Sequence, residues 1–90
     1  MSVTVILPPS LQTLAGGLKS VETSGRTVKN CLDGLAEKYP PLKGKFYSRK
    51  GELKRGMSLF INGASAQPGE LTRAVKDGDK IHISYVILGG

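Results

Sequence analysis

Hydrophobic and polar residues alternate at the start of the chain. Val3, Val5 and Leu7 fall in one phase, with Thr4 and Ile6 in the other, and a period of two predicts a strand. Pro8-Pro9 ends it, because proline cannot donate to a sheet ladder. A loop closed by Gly16-Gly17 should lead to a second strand over residues 18–22, returning beside the first, with a turn at Thr23-Ser24-Gly25. The period then changes. Val28, Cys31, Leu32, Leu35, Ala36 and Tyr39 form an apolar stripe at helical spacing, and Lys29, Asn30, Asp33, Glu37 and Lys38 take the other face. Thr27 suits the N-cap, and Pro40-Pro41 stops the helix. Gly34 costs this helix about 1 kcal/mol relative to alanine, so packing must support it.

Residues 43–55 are basic and punctuated by Gly44 and Gly51, which predicts an exposed loop. Met57, Leu59 and Ile61 then alternate with Ser58 and Phe60, and Asn62-Gly63 is a strong hairpin signal. Leu71, Ala74 and Val75 suggest a short helical turn, and Asp77-Gly78-Asp79 another turn. The final strand covers residues 80–86, with Ile81, Ile83 and Tyr85 facing inward. The order strand, strand, long helix, strand, small turn, strand predicts an α+β domain, a mixed sheet packed on one main helix. With the last strand central and parallel to the first, that arrangement is a β-grasp fold.

Ninety residues, 39% of them hydrophobic, are enough for one compact core. The expected division is a body over residues 1–86 and a C-terminal tail over residues 87–90. No apolar run approaches the roughly 20 residues that span a bilayer, and the N-terminus lacks the basic region of a signal peptide. The cytoplasm is therefore the expected compartment. A single cysteine, Cys31, excludes an internal disulfide and a cysteine-based zinc cluster, and a single histidine, His82, excludes a His-rich metal site. No metal and no bound cofactor are expected. A chain without the usual side-chain chemistry can instead offer its backbone terminus.

Other candidates read as structural or as docking features. Cys31 lies on the apolar stripe, the position of a buried thiol. His82 alternates outward, as a surface residue without a partner that would make it a general base. The net charge is +6, and Lys43, Lys45, Arg49, Lys50, Lys54 and Arg55 gather with Phe46 and Tyr47 in one stretch. A solvated loop is the first reading of that stretch, an acidic protein partner the second, and single-stranded nucleic acid held by backbone pairing and base stacking the third. Phe60, with Ile6, His82 and Ser84 on the outward phase, forms either an exposed docking patch or a surface covered by a loop.

Taken together, the β-grasp order, the helix opening at Thr27-Val28, the Asp77-Gly78-Asp79 turn before the last strand and the final Gly89-Gly90 resemble the ubiquitin-like sulfur carriers. These include the small subunit of molybdopterin synthase and the carrier of thiamine biosynthesis. Val3-Thr4-Val5-Ile6-Leu7-Pro8, Gly16-Gly17 with Lys19-Ser20-Val21, and Leu53-Lys54-Arg55 look most like the carriers that deliver sulfur for cysteine biosynthesis. The approach Val86-Ile87-Leu88 departs from the Val-Ala-Gly-Gly ending of the molybdopterin-synthase subunit.

The resemblance implies that an E1-like, ATP-dependent adenylating and sulfurtransferase enzyme activates the Gly90 carboxylate. A sulfur donor then displaces AMP to leave a thiocarboxylate. A sulfur-accepting biosynthetic enzyme (cysteine synthase-like, or molybdopterin or thiazole synthase-like) consumes it. On this reading the chain is a protein cosubstrate and not an enzyme. Gly89 and Gly90 lack a Cβ and can thread a narrow channel. Ile87 and Leu88 would anchor the tail in an apolar groove while its backbone adds sheet-like hydrogen bonds. Two other functions fit the same residues: a ubiquitin-like modifier joined to lysines through Gly90, and a basic nucleic-acid-binding module using residues 43–55.

Overall fold

A computed structural model describes residues 2–86 of the chain. Strand β1 (Ser2–Ile6) is followed by the short helix α1 (Pro9–Gln12), strand β2 (Ser20–Ser24) and the long helix α2 (Val28–Lys38). Helix α3 (Lys43–Phe46), strands β3 (Met57–Ile61) and β4 (Ala64–Ser65), and strand β5 (Lys80–Tyr85) complete the order. The sheet runs β2-β1-β5-β3-β4. β1 and β5 are parallel, with Val5 beside Ile81 and Ile6 beside His82, and the other pairs are antiparallel. A parallel pair needs a long connection, which everything between the first and last strands supplies. This is the expected β-grasp.

Alternation decides which face is covered. Val3, Val5, Leu59, Ile81 and Ile83 are buried on one face of the sheet, against Val28, Cys31, Leu32 and Leu35 of α2. The stripe was legible because one helix face must desolvate against one sheet face. The Thr27 hydroxyl accepts a hydrogen bond from the Asn30 amide (3.2 Å), the predicted N-cap. At the hairpin, Asn62 and Gly63 both have positive φ, 52° and 88°, the backbone of a two-residue turn matched to strand twist. Among the described residues, no helix is long and apolar enough to cross a membrane.

Four expectations are corrected. The stretch between β1 and β2 is not a plain loop. Pro9 opens α1, a residue suited to a first helical position, and the 3₁₀ turn Thr13–Ala15 follows, so that Leu11 and Ala15 are buried. The second strand lies two residues later than the pattern suggested. Thr23 and Ser24 are not a turn but pair with Val3 and Ser2, while Leu18 lies outside the strand and is exposed. That register sets Val21 opposite Val5 and lets the Thr23 hydroxyl donate to the Cys31 carbonyl of α2 (3.2 Å). The third correction is the helical turn, which falls at Glu70–Thr72, with Val75 buried in extended chain beyond it.

The fourth concerns residues 43–55, which are not a freely exposed loop. The 3₁₀ turn Pro40–Leu42 runs into α3, and both Leu42 and Phe46 are completely buried. Tyr47 and Leu53 form an isolated antiparallel bridge, and the Tyr47 hydroxyl donates to the Asp33 carboxylate (2.6 Å). A basic exterior therefore hides an aromatic interior, which a reading by charge overlooks.

Candidate functional site

β5 is the middle strand of the sheet, held by β1 on one side and β3 on the other. Its last inward residue, Tyr85, pairs with Met57, and the Val86 amide then donates to the Gly56 carbonyl (2.8 Å). Val86 is 57% exposed. The last described residue thus lies at the end of the sheet's central strand, held there by backbone pairing. The candidate reactive residue Gly90 and the candidate anchors Ile87, Leu88 and Gly89 lie outside the described residues.

The outward phase brings the predicted sheet patch together. In register, Ile6 sits beside His82, and His82 beside Phe60, so the three form one row across β1, β5 and β3. Ser20 and Ser65 end the row on β2 and β4. Ser84 belongs to the next row, opposite Ser58. His82 is exposed, while Ile6 and Phe60 are half-buried. Among the described residues no loop closes over the row. The residues beside His82 in register are apolar, which leaves it no carboxylate there to tune it as a base.

Side-chain chemistry is sparse elsewhere. Cys31 is fully buried in the core, and burial pushes its thiol pKa upward, the opposite of what a reactive cysteine requires. Every buried side-chain nitrogen and oxygen among the described residues has a hydrogen-bond partner. No orphaned polar group awaits a ligand. Asp33 is taken up by Lys29 (2.7 Å) and by Tyr47. Burial opposes ionisation of Asp33, but these two bonds outweigh it and hold the carboxyl below its ordinary range. Burial and the Asp33 carboxylate together drive the Tyr47 phenol pKa strongly upward.

These placements weaken the aromatic half of the nucleic-acid reading. Phe46 is enclosed, and Tyr47 is tied to Asp33 with the Lys29 ammonium 5.5 Å from its ring centre. Phe46 offers no face on which a base could stack, and Tyr47 is only half-exposed. Sequence reasoning missed the Asp33–Tyr47 pair. Their separation of 14 positions gives no periodic signal.

Architecture and exit point together define a ubiquitin-like β-grasp protein whose side chains offer little chemistry of their own. The family model described as "ThiS family" matches residues 5–90. The chain belongs to the ThiS family and functions as a sulfur carrier, a protein acted upon rather than a catalyst. It is 32% identical over 93 residues to sulfur carrier protein CysO of Mycobacterium tuberculosis, covering the whole of both chains. The CysO-like fold in the crystal structure of the Amycolatopsis orientalis BexX/CysO complex superposes with a TM-score of 0.87, at 34% identity over 98% of this chain and 99% of that one. Small archaeal modifier protein 1 of Methanosarcina acetivorans is also similar, with a TM-score of 0.84 at 31% identity over 99% of this chain and 96% of that one.

Proposed function

We propose that the carboxylate of Gly90 carries the sulfur. An ATP-dependent activating enzyme would join it to AMP with release of pyrophosphate. A sulfide-level donor would then attack the acyl carbon and displace AMP, leaving a thiocarboxylate whose sulfur is nucleophilic. A biosynthetic enzyme consumes it, and cysteine or a related sulfur metabolite is the product we favour over molybdopterin or thiamine. Full-length likeness to a CysO sulfur carrier supports that choice. ATP-dependent charging places the work in the cytoplasm.

The observation that carries the reading is the family match running through Gly89-Gly90, joined to a fold in which those residues follow directly on the central strand. Glycine at both last positions leaves the acyl carbon unobstructed. That matters because misplacing a reacting group by 1 Å can cost about 100-fold in rate. The Ile6–His82–Phe60 row is the docking face in this proposal. It is an outward, partly apolar strip on the sheet that ends in the tail. Ile87 and Leu88 anchor the tail beyond it.

The test is intact-mass spectrometry of the purified chain after incubation with its activating enzyme, ATP and a sulfide source. One oxygen should be exchanged for sulfur on a chain ending at Gly90. A chain lacking Gly90 should keep its fold and take up none. Charging of that truncated chain would refute the proposal.

A second reading is favoured by the likeness to a small archaeal modifier protein. The same adenylate could be attacked by a lysine amine, forming an isopeptide. Gly-Gly remnants on lysines of other proteins in cell extract, lost when Gly90 is deleted, would establish this use of the tail.

A further inference from the structure

The basic stretch is bonded to the end of β5, the strand that immediately precedes residues 87–90. The Lys54 amide donates to the Phe46 carbonyl (2.9 Å) and its ammonium to the Gly44 carbonyl (3.0 Å). The Met57 amide donates to the Lys54 carbonyl (3.2 Å), and Gly56 in between accepts from Val86 (2.8 Å). This run of bonds joins the end of α3, the turn before β3 and the end of β5. Lys45, Lys54 and Arg55 thus belong to the bonded segment that adjoins the end of β5. Lys45 and Arg55 are exposed. Arg49 and Lys50 add two charges on the turn closed by the Ser48 amide and the Glu52 carbonyl.

Little acid within the stretch itself opposes this positive charge. Glu52 is the one carboxylate in residues 43–55, and the ion pair found among the described residues joins Lys29 to Asp33, on α2. Covalent geometry does the rest. Four residues beyond Val86 reach at most about 14 Å when fully extended. An active site that receives Gly90 must therefore bring its entrance up against Lys45 and Arg55. A basic or neutral entrance would gain nothing there, whereas an acidic one would be attracted and oriented.

We propose that Lys45, Lys54 and Arg55 form a cationic collar around the departing tail that recognises an acidic protein surface bordering the partner's tail channel. This rests on the carrier reading above and adds to it the chemistry of the partner's entrance. The collar steers encounter, while the Ile6–His82–Phe60 row and the tail supply the short-range fit. Because Phe46 is buried and Tyr47 is half-buried and bonded to Asp33, the collar presents more charge than stacking surface, which suits carboxylates better than bases.

The test compares two charge reversals of equal net change in the full chain. Lys45→Glu/Arg55→Glu strikes the collar and spares Lys54, whose ammonium is used inside the fold. Arg26→Glu/Lys76→Glu lies toward the other end of β5, where the Val75 amide donates to the Arg26 carbonyl, about 20 Å away along the strand. Charging rates are measured with the adenylating enzyme of the same organism at about 50 and about 200 mM salt, concentrations between which exposed charges become screened. The collar reversal should lower kcat/KM at least about 10-fold at low salt, leave kcat unchanged and abolish most of the salt dependence. The control should lose less than about 3-fold. Lys45→Gln/Arg55→Gln, which removes charge without reversing it, should fall between.

Equal losses for collar and control, or no loss for either, would overturn the collar while charging of the wild type upholds the carrier reading. A wild-type chain that is never charged would instead sink the carrier reading and the collar with it. A single-stranded oligonucleotide that blocks charging of the wild type but not of the collar variant would assign these cations to nucleic acid and overturn the proposal.

Discussion

Asn62 and Asp79, 17 residues apart, are bonded through their side chains: the Asn62 amide group donates to one carboxylate oxygen of Asp79 at 2.9 Å. The Lys80 backbone amide returns a bond to the Asn62 side-chain oxygen (2.9 Å), and the second oxygen of Asp79 accepts from the Lys76 amide (2.8 Å). The β3–β4 hairpin and the turn before β5 are thereby pinned around the first residue of the central strand. The far end of that strand immediately precedes residues 87–90. The strand's starting register is thus set by two turn residues rather than by the hydrophobic pattern alone.

This arrangement gives the fold an acid-sensitive component. The Lys76 amide, followed by Asn62, holds the Asp79 carboxyl below its ordinary range, against a smaller opposing effect of burial. A depressed carboxyl binds fewer protons folded than unfolded. Its stabilisation is therefore complete above the unfolded value of about 3.8 and is lost as pH falls through the folded one. Melting temperature should decline between about pH 5 and pH 3, and Asp79→Asn should flatten that decline. An unchanged slope in the variant would show that Asp79 does not drive it.

Asp33 shifts in the same direction, and its Tyr47 partner allows a separate check. Tyr47→Phe removes a 2.6 Å bond but keeps the ring between α2 and α3. It should destabilise the domain by about 1 kcal/mol at neutral pH and by progressively less in acid, as pH falls through the depressed folded value of Asp33 and the carboxylate is lost. Denaturant unfolding at neutral and acid pH measures this. A larger loss at low pH would contradict it.

Gly34 is explained by a neighbour. A Cβ at this position would lie 2.8 Å from the Thr23 hydroxyl oxygen, which is engaged with the Cys31 carbonyl. Gly34→Ala should therefore fail to deliver the roughly 1 kcal/mol that alanine normally adds to a helix. In a Thr23→Ala background the same substitution should stabilise by about that amount, a coupling that a double-mutant cycle reads directly. Simple additivity would refute the packing account. Gly25 is tighter, since an added Cβ would approach the Asn30 Cβ to 2.7 Å and the Cys31 amide nitrogen to 3.0 Å. Gly25→Ala should cost about 1–3 kcal/mol.

The cross-strand neighbours Phe60 and His82 offer a functional prediction. Phe60→Ser truncates a half-buried outward ring and leaves the inner face of β3 intact. Charging should show a KM raised roughly 5- to 30-fold, the range of a moderate interface anchor, with kcat little altered and melting temperature nearly unchanged. A loss confined to kcat would mean that the row does not dock the activating enzyme.

The periodic features could be read from the amino-acid order because local physics sets them. Alternation placed Val3, Val5, Ile81 and Ile83 on the core face, helical spacing placed Cys31, Leu32 and Leu35 against them, and Asn62-Gly63 made its turn. Tertiary structure alone decided the rest. Thr23 became strand rather than turn because Val21 had to meet Val5. Phe46 went inside because the core had room beside Leu42 that no period announces. Ile6, His82 and Phe60, scattered over 76 residues, became one row only through the register of three strands. The basic stretch was joined to the end of β5 only through the bonds of Lys54 and Gly56. Local periodicity says which way a side chain points, whereas pairing between distant segments says what it points beside, and this second kind of information exists only once the chain has closed on itself.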